Sequence, residues 1–122
     1  MSKFMTRSAS VLDIPIFHKV YDLYKILHGY QQRIPKFQRY TLWQKCENTT
    51  LALLEAIIET NYQREAERLN SLHTISNKLD LLKVLIRLAK ETRTINDKQY
   101  IEVQAIIQEV GKMIGGWIKS FC

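Results

Sequence analysis

No proline occurs after Pro35 in this chain of 122 residues, and a long proline-free run favours a few long helices over many strands and turns. Along that run, apolar residues recur every three or four positions, which is the spacing of one helix face. The pattern predicts four helices, over about residues 13–33, 39–62, 65–92 and 96–120, with the third starting somewhere between 65 and 70. Since only short links join them, we expect an all-α, up-down-up-down four-helix bundle.

The expected ends of these helices rest on residues with known positional preferences. Asp13 is a candidate N-cap with Pro15 in the first turn, where its missing N–H costs nothing. Ile34 precedes Pro35 and therefore avoids helical geometry, which ends the first helix. Asn96 or Asp97 caps the fourth helix. The length fits one domain, so we expect a flexible arm over residues 1–12 and a single bundle domain over 13–122.

The fourth predicted helix contains three glycines, at 111, 115 and 116, and each costs about 1 kcal/mol relative to alanine. Gly111 and Gly115 are four positions apart and share one edge of an apolar stripe that ends at Trp117. Glycines in such a position allow the backbone of another helix to approach closely. We therefore interpret Gly111, Gly115, Gly116 and Trp117 as a packing or oligomerisation segment.

The third predicted helix carries more apolar surface than a four-helix monomer would bury, because about one face of each helix is enough. The surplus favours packing between subunits, and a thickly packed monomer is the alternative. Its two apolar stripes are Ile75, Leu79, Leu82, Ile86 and Ala89 on one side, and Leu81, Val84, Leu85 and Leu88 on the other.

A net charge of +6 indicates an anionic partner, although it also serves solubility. Lys83, Arg87 and Lys90 fall on one narrow strip of the third helix, a spacing that suits successive phosphates rather than base edges. The alternative is a solvated face in which Asp80 pairs with Lys83 and Arg87 pairs with Glu91.

A second basic cluster surrounds the first link and contains Arg33, Lys36 and Arg39. Together with the strip on the third helix, this cluster gives Lys36, Arg39, Lys83, Arg87 and Lys90 as the candidate residues for binding nucleic acid.

No catalytic constellation is visible in the sequence. His18, His28 and His73 lack metal-ligand spacing to each other or to carboxylates, and His28 is expected to lie in the core or at an interface. Cys46 and Cys122 form neither a metal pair nor a disulfide framework. We therefore predict a protein that is not an enzyme and has no metal, cofactor or small-molecule substrate. With no apolar run long enough for a membrane span, a cytoplasmic location is expected.

Three segments point to a family: Ile34-Pro35-Lys36 before Arg39-Tyr40, Ile86-Arg87-Leu88-Ala89 at the end of the third helix, and residues 109–118 with their glycines and Trp117. Together they resemble the accessory variability determinant (Avd) of diversity-generating retroelements, over about residues 13–120. The wider group includes the four-helix proteins encoded in intervening sequences of bacterial ribosomal RNA genes.

This resemblance implies a bundle that assembles into a barrel-shaped homopentamer with a basic outer surface. It implies a non-catalytic accessory role: binding a reverse transcriptase and the template-region RNA or its cDNA hybrid, and supporting mutagenic cDNA synthesis. The five candidate basic residues become possible contacts for RNA or polymerase. The alternative is a structural interaction protein of the ribosomal RNA intervening-sequence type, with no RNA role.

Overall fold

The computed structural model describes residues 14–121, and that part of the chain is helical throughout apart from the links. Its four long helices are α1 (Pro15–Tyr30), α2 (Leu42–Tyr62), α3 (Glu65–Glu91) and α4 (Asp97–Lys119). Each packs against the next in the chain, and α4 returns against α1. The predicted all-α four-helix bundle is confirmed.

The link between α1 and α2 is more structured than the sequence predicts. A 3₁₀ turn, Gln31–Arg33, continues α1, and a one-turn helix, Lys36–Arg39, follows Pro35. Pro35 occupies the N-cap position of that short helix and restrains the residue before it, so Ile34 has extended backbone geometry. This link is therefore a helical corner rather than an open loop.

The sequence predicts a polar N-cap at the start of both α1 and α4. The structure has a polar cap at α4 and an apolar residue in the N-cap position of α1. Ile14, not Asp13, occupies the N-cap position of α1, with Pro15 directly after it and no side-chain capping bond. Asp13 lies outside the described residues, as do the expected arm and Cys122. At α4, Asn96 is the cap: its Oδ1 accepts from the Gln99 N–H at 2.7 Å, and its own N–H donates to Gln99 Oε1 at 2.9 Å. These two hydrogen bonds form a capping box, which gives the backbone N–H groups of Asn96 and Gln99 their acceptors.

The core forms where the inner stripes of all four helices meet. Trp43 is fully buried near the start of α2, and its indole N–H donates to the Leu27 carbonyl at 3.0 Å. Of the two apolar stripes predicted on α3, the one formed by Ile75, Leu79, Leu82, Ile86 and Ala89 faces inward and is buried. On α1 the sequence predicts a main apolar strip, Phe17, Val20, Tyr21, Tyr24, Leu27 and His28, beside a second strip, Ile16, Leu23, Ile26 and Tyr30. The buried face takes residues from both strips: Leu23 is buried, whereas Tyr21 and His28 face solvent, because α1 packs between α2 and α4.

The glycines of α4 do not make the predicted close helix crossing within this chain. A methyl group at Gly111 would lie 3.6 Å from Leu79 Cδ2, an ordinary contact, and nothing lies within 4 Å of the corresponding position at Gly115 or Gly116. Trp117 is half-buried and packs against the core. Within residues 14–121 no atom closes tightly on these glycines, so a close crossing there stays a prediction.

Apolar surface is left uncovered on α2 and α3. On α3, Leu81, Val84 and Leu88 are 42%, 63% and 44% exposed, and Leu51 on α2 is 42% exposed. The three residues of α3 belong to the second of the two stripes predicted on that helix, whereas Leu51 was not predicted. Their exposure keeps the expectation of subunit packing open, because a monomer would leave this apolar surface in water.

Candidate nucleic-acid interface

The link between α1 and α2 and the link between α3 and α4 lie at the same end of the bundle, because consecutive helices run in opposite directions. Gln38 Nε2 donates to the Thr92 carbonyl at 3.4 Å, which joins the two links directly. A cavity of about 380 Å³ lies between them and is lined by residues from both. We call this region the basic end and define it by five residues: Arg33, Lys36, Arg39, Lys90 and Arg93.

The basic end gathers cations that lack carboxylate partners. Within residues 14–121, none of its five basic side chains forms an ion pair with Asp or Glu. Arg39 donates through Nη2 to the Ile34 carbonyl at 3.1 Å, and the Lys90 ammonium lies 4.7 Å from the centre of the Tyr100 ring. Neither contact neutralises the charge, so this end of the molecule carries uncompensated positive potential.

The strip predicted on α3 divides into two kinds of residue. Lys83 pairs with Asp80 at 3.8 Å and Arg87 pairs with Glu91 at 3.2 Å, as the alternative interpretation expected, whereas Lys90 belongs to the basic end. Exposed pairs of this kind contribute only about 0–1 kcal/mol. A phosphate could therefore displace the carboxylates, but Lys83 and Arg87 start from a partly neutralised state.

Arg93 is the member of the basic end that the sequence did not reveal. Its φ of 61° is left-handed, and it is the only non-glycine residue with positive φ between residues 14 and 121. Its N–H donates to the Lys90 carbonyl at 3.0 Å, and the Thr94 N–H donates to the Ala89 carbonyl at 2.8 Å. These two bonds form a Schellman motif, which usually has glycine in this position. Since the usual marker is absent, the sequence carried no signal for this geometry.

Comparison with known families places the chain in one of them. The bAvd-like family model matches residues 15–121, which include all four long helices and the basic end. The chain belongs to the bAvd-like family. This confirms the resemblance seen in the sequence, and membership suggests an accessory role in diversity-generating retroelements. A search of curated proteins finds no match.

In this bAvd-like chain, Tyr30 connects the basic end to α4. Its hydroxyl donates to the Glu102 carboxylate, and its ring lines the cavity between the links. Burial raises the pKa of the Tyr30 hydroxyl, and the hydrogen bond to Glu102 raises it further. The hydroxyl is therefore a neutral, already engaged donor at physiological pH.

A second polar cluster lies between α1 and α2. Glu47 is buried; its Oε1 lies 3.6 Å from His28 Nδ1, and its Oε2 has no hydrogen-bond partner. Burial, and then the charge of Glu47, raises the pKa of the Tyr24 hydroxyl. His28 is exposed, so the expectation that it lies in the core is wrong. The alternative, that it lies at an interface, stays a prediction.

Among residues 14–121, the free cysteine is Cys46, and it is buried. Burial raises the pKa of the Cys46 thiol to about 12, so it is an inert core residue. Among residues 14–121, no group of three or more His, Cys, Asp or Glu side chains could hold a metal ion. No helix in the same range is long and apolar enough to cross a membrane.

Proposed function

We propose that this protein is a non-catalytic accessory protein of a diversity-generating retroelement. It binds the element's reverse transcriptase and its template-region RNA, or the RNA–cDNA hybrid, and supports mutagenic cDNA synthesis. The family match over residues 15–121 supports the accessory role. The observation that carries RNA binding is the gathering of five unpaired cations at one end of the bundle.

The proposed mechanism is electrostatic. Lys36, Arg39 and Lys90 contact successive phosphates, and Arg33 and Arg93 extend that surface across both links. Contacts of this kind release counterions and read no base sequence, so affinity falls steeply with salt. Lys83 and Arg87 can join the contact surface when their exposed ion pairs open.

We also propose that the uncovered apolar stripes pack between copies of the chain to give a homopentamer. In such an assembly, Leu81, Val84 and Leu88 would leave water, and Gly115 and Gly116 could face a neighbouring helix. Several basic ends would then be presented together. Multiple binding sites on one particle raise the overall affinity for a long RNA without any new contact.

RNA binding is tested by filter binding to a structured RNA at several salt concentrations. The test variant is Lys36→Gln with Lys90→Gln, and the control, matched in charge, is Lys83→Gln with Arg87→Gln. Loss of two phosphate contacts should weaken binding and reduce the slope of log K against log salt by roughly 1.5. The control should lose less than half as much, because its cations are already partnered.

Equal losses in the two variants would contradict the assignment of the basic end. Pull-down with the reverse transcriptase encoded beside the gene tests the second partner. If neither RNA nor polymerase binds at low salt, the accessory role is wrong and the interaction protein of the ribosomal RNA intervening-sequence type becomes the better explanation.

A further inference from the structure

The cavity at the basic end is lined by more cations than carboxylates. Three of its lining residues are cations, Arg33, Lys90 and Arg93, and only one, Asp97, is a carboxylate. Elsewhere on the described surface, several Lys and Arg side chains have a carboxylate within 4 Å, as Lys19 does with Glu109 at 3.0 Å. The cavity therefore holds net positive charge that nothing in residues 14–121 neutralises.

The walls of the cavity are fixed by the core of the bundle. On one side, Ile34 is 3% exposed, and Arg39 donates to its carbonyl. On the other side, Ile95 is 3% exposed and Thr94 is 6% exposed. Buried side chains of both links thus hold the two walls at a set separation. A preformed site of this kind loses little conformational freedom when a ligand enters.

Arg93 is held at the cavity at a conformational cost. Its left-handed backbone disfavours any side chain with a Cβ, yet the position carries the largest cationic side chain. Strained backbone geometry of this kind is concentrated at functional sites. The Schellman hydrogen bonds to Lys90 and Ala89 fix the direction in which the chain leaves α3, and with it the position of the Arg93 backbone.

Several other polar atoms around the cavity are already engaged. The side-chain oxygens of Asn96 and Gln99 accept from each other's backbone N–H, and the Tyr30 hydroxyl donates to Glu102. The charged donors among the lining residues are the guanidinium groups of Arg33 and Arg93 and the ammonium group of Lys90. Two planar guanidinium groups and one ammonium group can donate hydrogen bonds to the oxygens of a phosphate.

We propose that this cavity binds one phosphate group, held by Arg33, Lys90 and Arg93. A volume of about 380 Å³ exceeds what a free phosphate ion needs, so the group can enter while still attached to a chain. This inference deepens the proposed function, because it gives RNA binding by the basic end one defined anchoring point. The phosphate can come from within a strand or from a strand end, since both present the same oxygens.

The first test is an NMR titration of the full chain with inorganic phosphate at low ionic strength. Amide shift changes should concentrate in the two links, around residues 31–36 and 90–99. Arg93→Gln should weaken binding at least ten-fold, and Arg33→Gln with Lys90→Gln should do the same. Arg64→Gln removes one exposed, ion-paired cation from the link between α2 and α3, at the other end of the bundle, and should leave the affinity within two-fold of the original.

The second test compares two oligonucleotides of one sequence, with and without a 5′-phosphate. Tighter binding of the phosphorylated strand, lost in Arg93→Gln, identifies a strand end as the source. Equal binding of both strands, weakened by Arg93→Gln, identifies an internal phosphate. Shift changes spread over all surface cations, or binding indifferent to Arg93→Gln, would overturn the proposal.

These outcomes separate the cavity from the wider function. RNA binding that is salt-dependent but indifferent to Arg93 would remove the anchoring point and leave the accessory role intact. If phosphate binds in the links but no RNA binds, the proposal for the cavity is supported and the proposed function is wrong.

Discussion

Replacing Arg93 with glycine should stabilise the bundle. The residue has a φ of 61° at the end of α3, where a Cβ costs roughly 1–2 kcal/mol and glycine costs little. Glycine gives back about 0.5–1 kcal/mol through the greater freedom of the unfolded chain. The net gain should therefore be about 0.5–1 kcal/mol, because both Schellman hydrogen bonds use backbone atoms and remain.

The matched control is Arg93→Ala, which removes the same charge but keeps the Cβ. Urea unfolding, followed by circular dichroism at one protein concentration, should give Arg93→Gly a free energy of unfolding about 1 kcal/mol larger than that of Arg93→Ala. For a chain of this length, the midpoint of thermal unfolding should differ by about 4 °C. If the two variants unfold together, the left-handed geometry is not strained and the reasoning fails. Both variants should lose phosphate binding, since both lack the guanidinium.

Three further predictions concern the helix ends and the glycines. Asn96→Ala removes the cap of α4 and should lower the free energy of unfolding, measured by urea denaturation, by about 1 kcal/mol. Asn96→Asp keeps the acceptor oxygen and should lower that free energy much less. Because the pKa of Tyr30 is raised in the fold, its stabilising contribution is complete below pH 10 and lost as pH rises above about 10. Tyr30→Phe should therefore flatten the alkaline loss of stability, measured by urea denaturation at several pH values. Gly115→Leu should preserve helix content and lower the mass seen by sedimentation, because its side chain meets open space within one chain; an unchanged oligomer would place the subunit contact elsewhere.

The four helices could be predicted from the sequence because their signals are local. Apolar spacing, the proline at 35 and the polar cap at Asn96 each act within one or two helical turns. The inner stripe of α3 was also predictable, since it is the only side of that helix with apolar residues at every turn through Ile75, Leu82 and Ile86. The stripe of α1 was harder, because two apolar strips compete and only the positions of α2 and α4 select between them.

The candidate site could be predicted only in part, because it depends on the arrangement of separate segments. Lys36 and Lys90 were identified one by one, but their meeting at one end follows from the antiparallel arrangement of the helices. Arg93 carried no sequence signal, because a left-handed helix end is normally recognised by glycine. Whether Lys83 and Arg87 are paired depends on side-chain conformations that spacing permits but does not determine.

The glycines of α4 show a different limit. Their cost in a helix correctly indicates that something other than helix propensity keeps them there, but it does not say which backbone approaches. Within residues 14–121, Gly115 and Gly116 have open space where a Cβ would lie, so their role in packing between subunits stays a prediction.

The most direct test of the account is multi-angle light scattering of the purified protein, alone and with a structured RNA, at low and high salt. The account predicts an oligomer that gains the mass of RNA at low salt and releases it at high salt. A particle of 14.4 kDa, unchanged by RNA at low salt, would contradict both the assembly and the role proposed for the basic end.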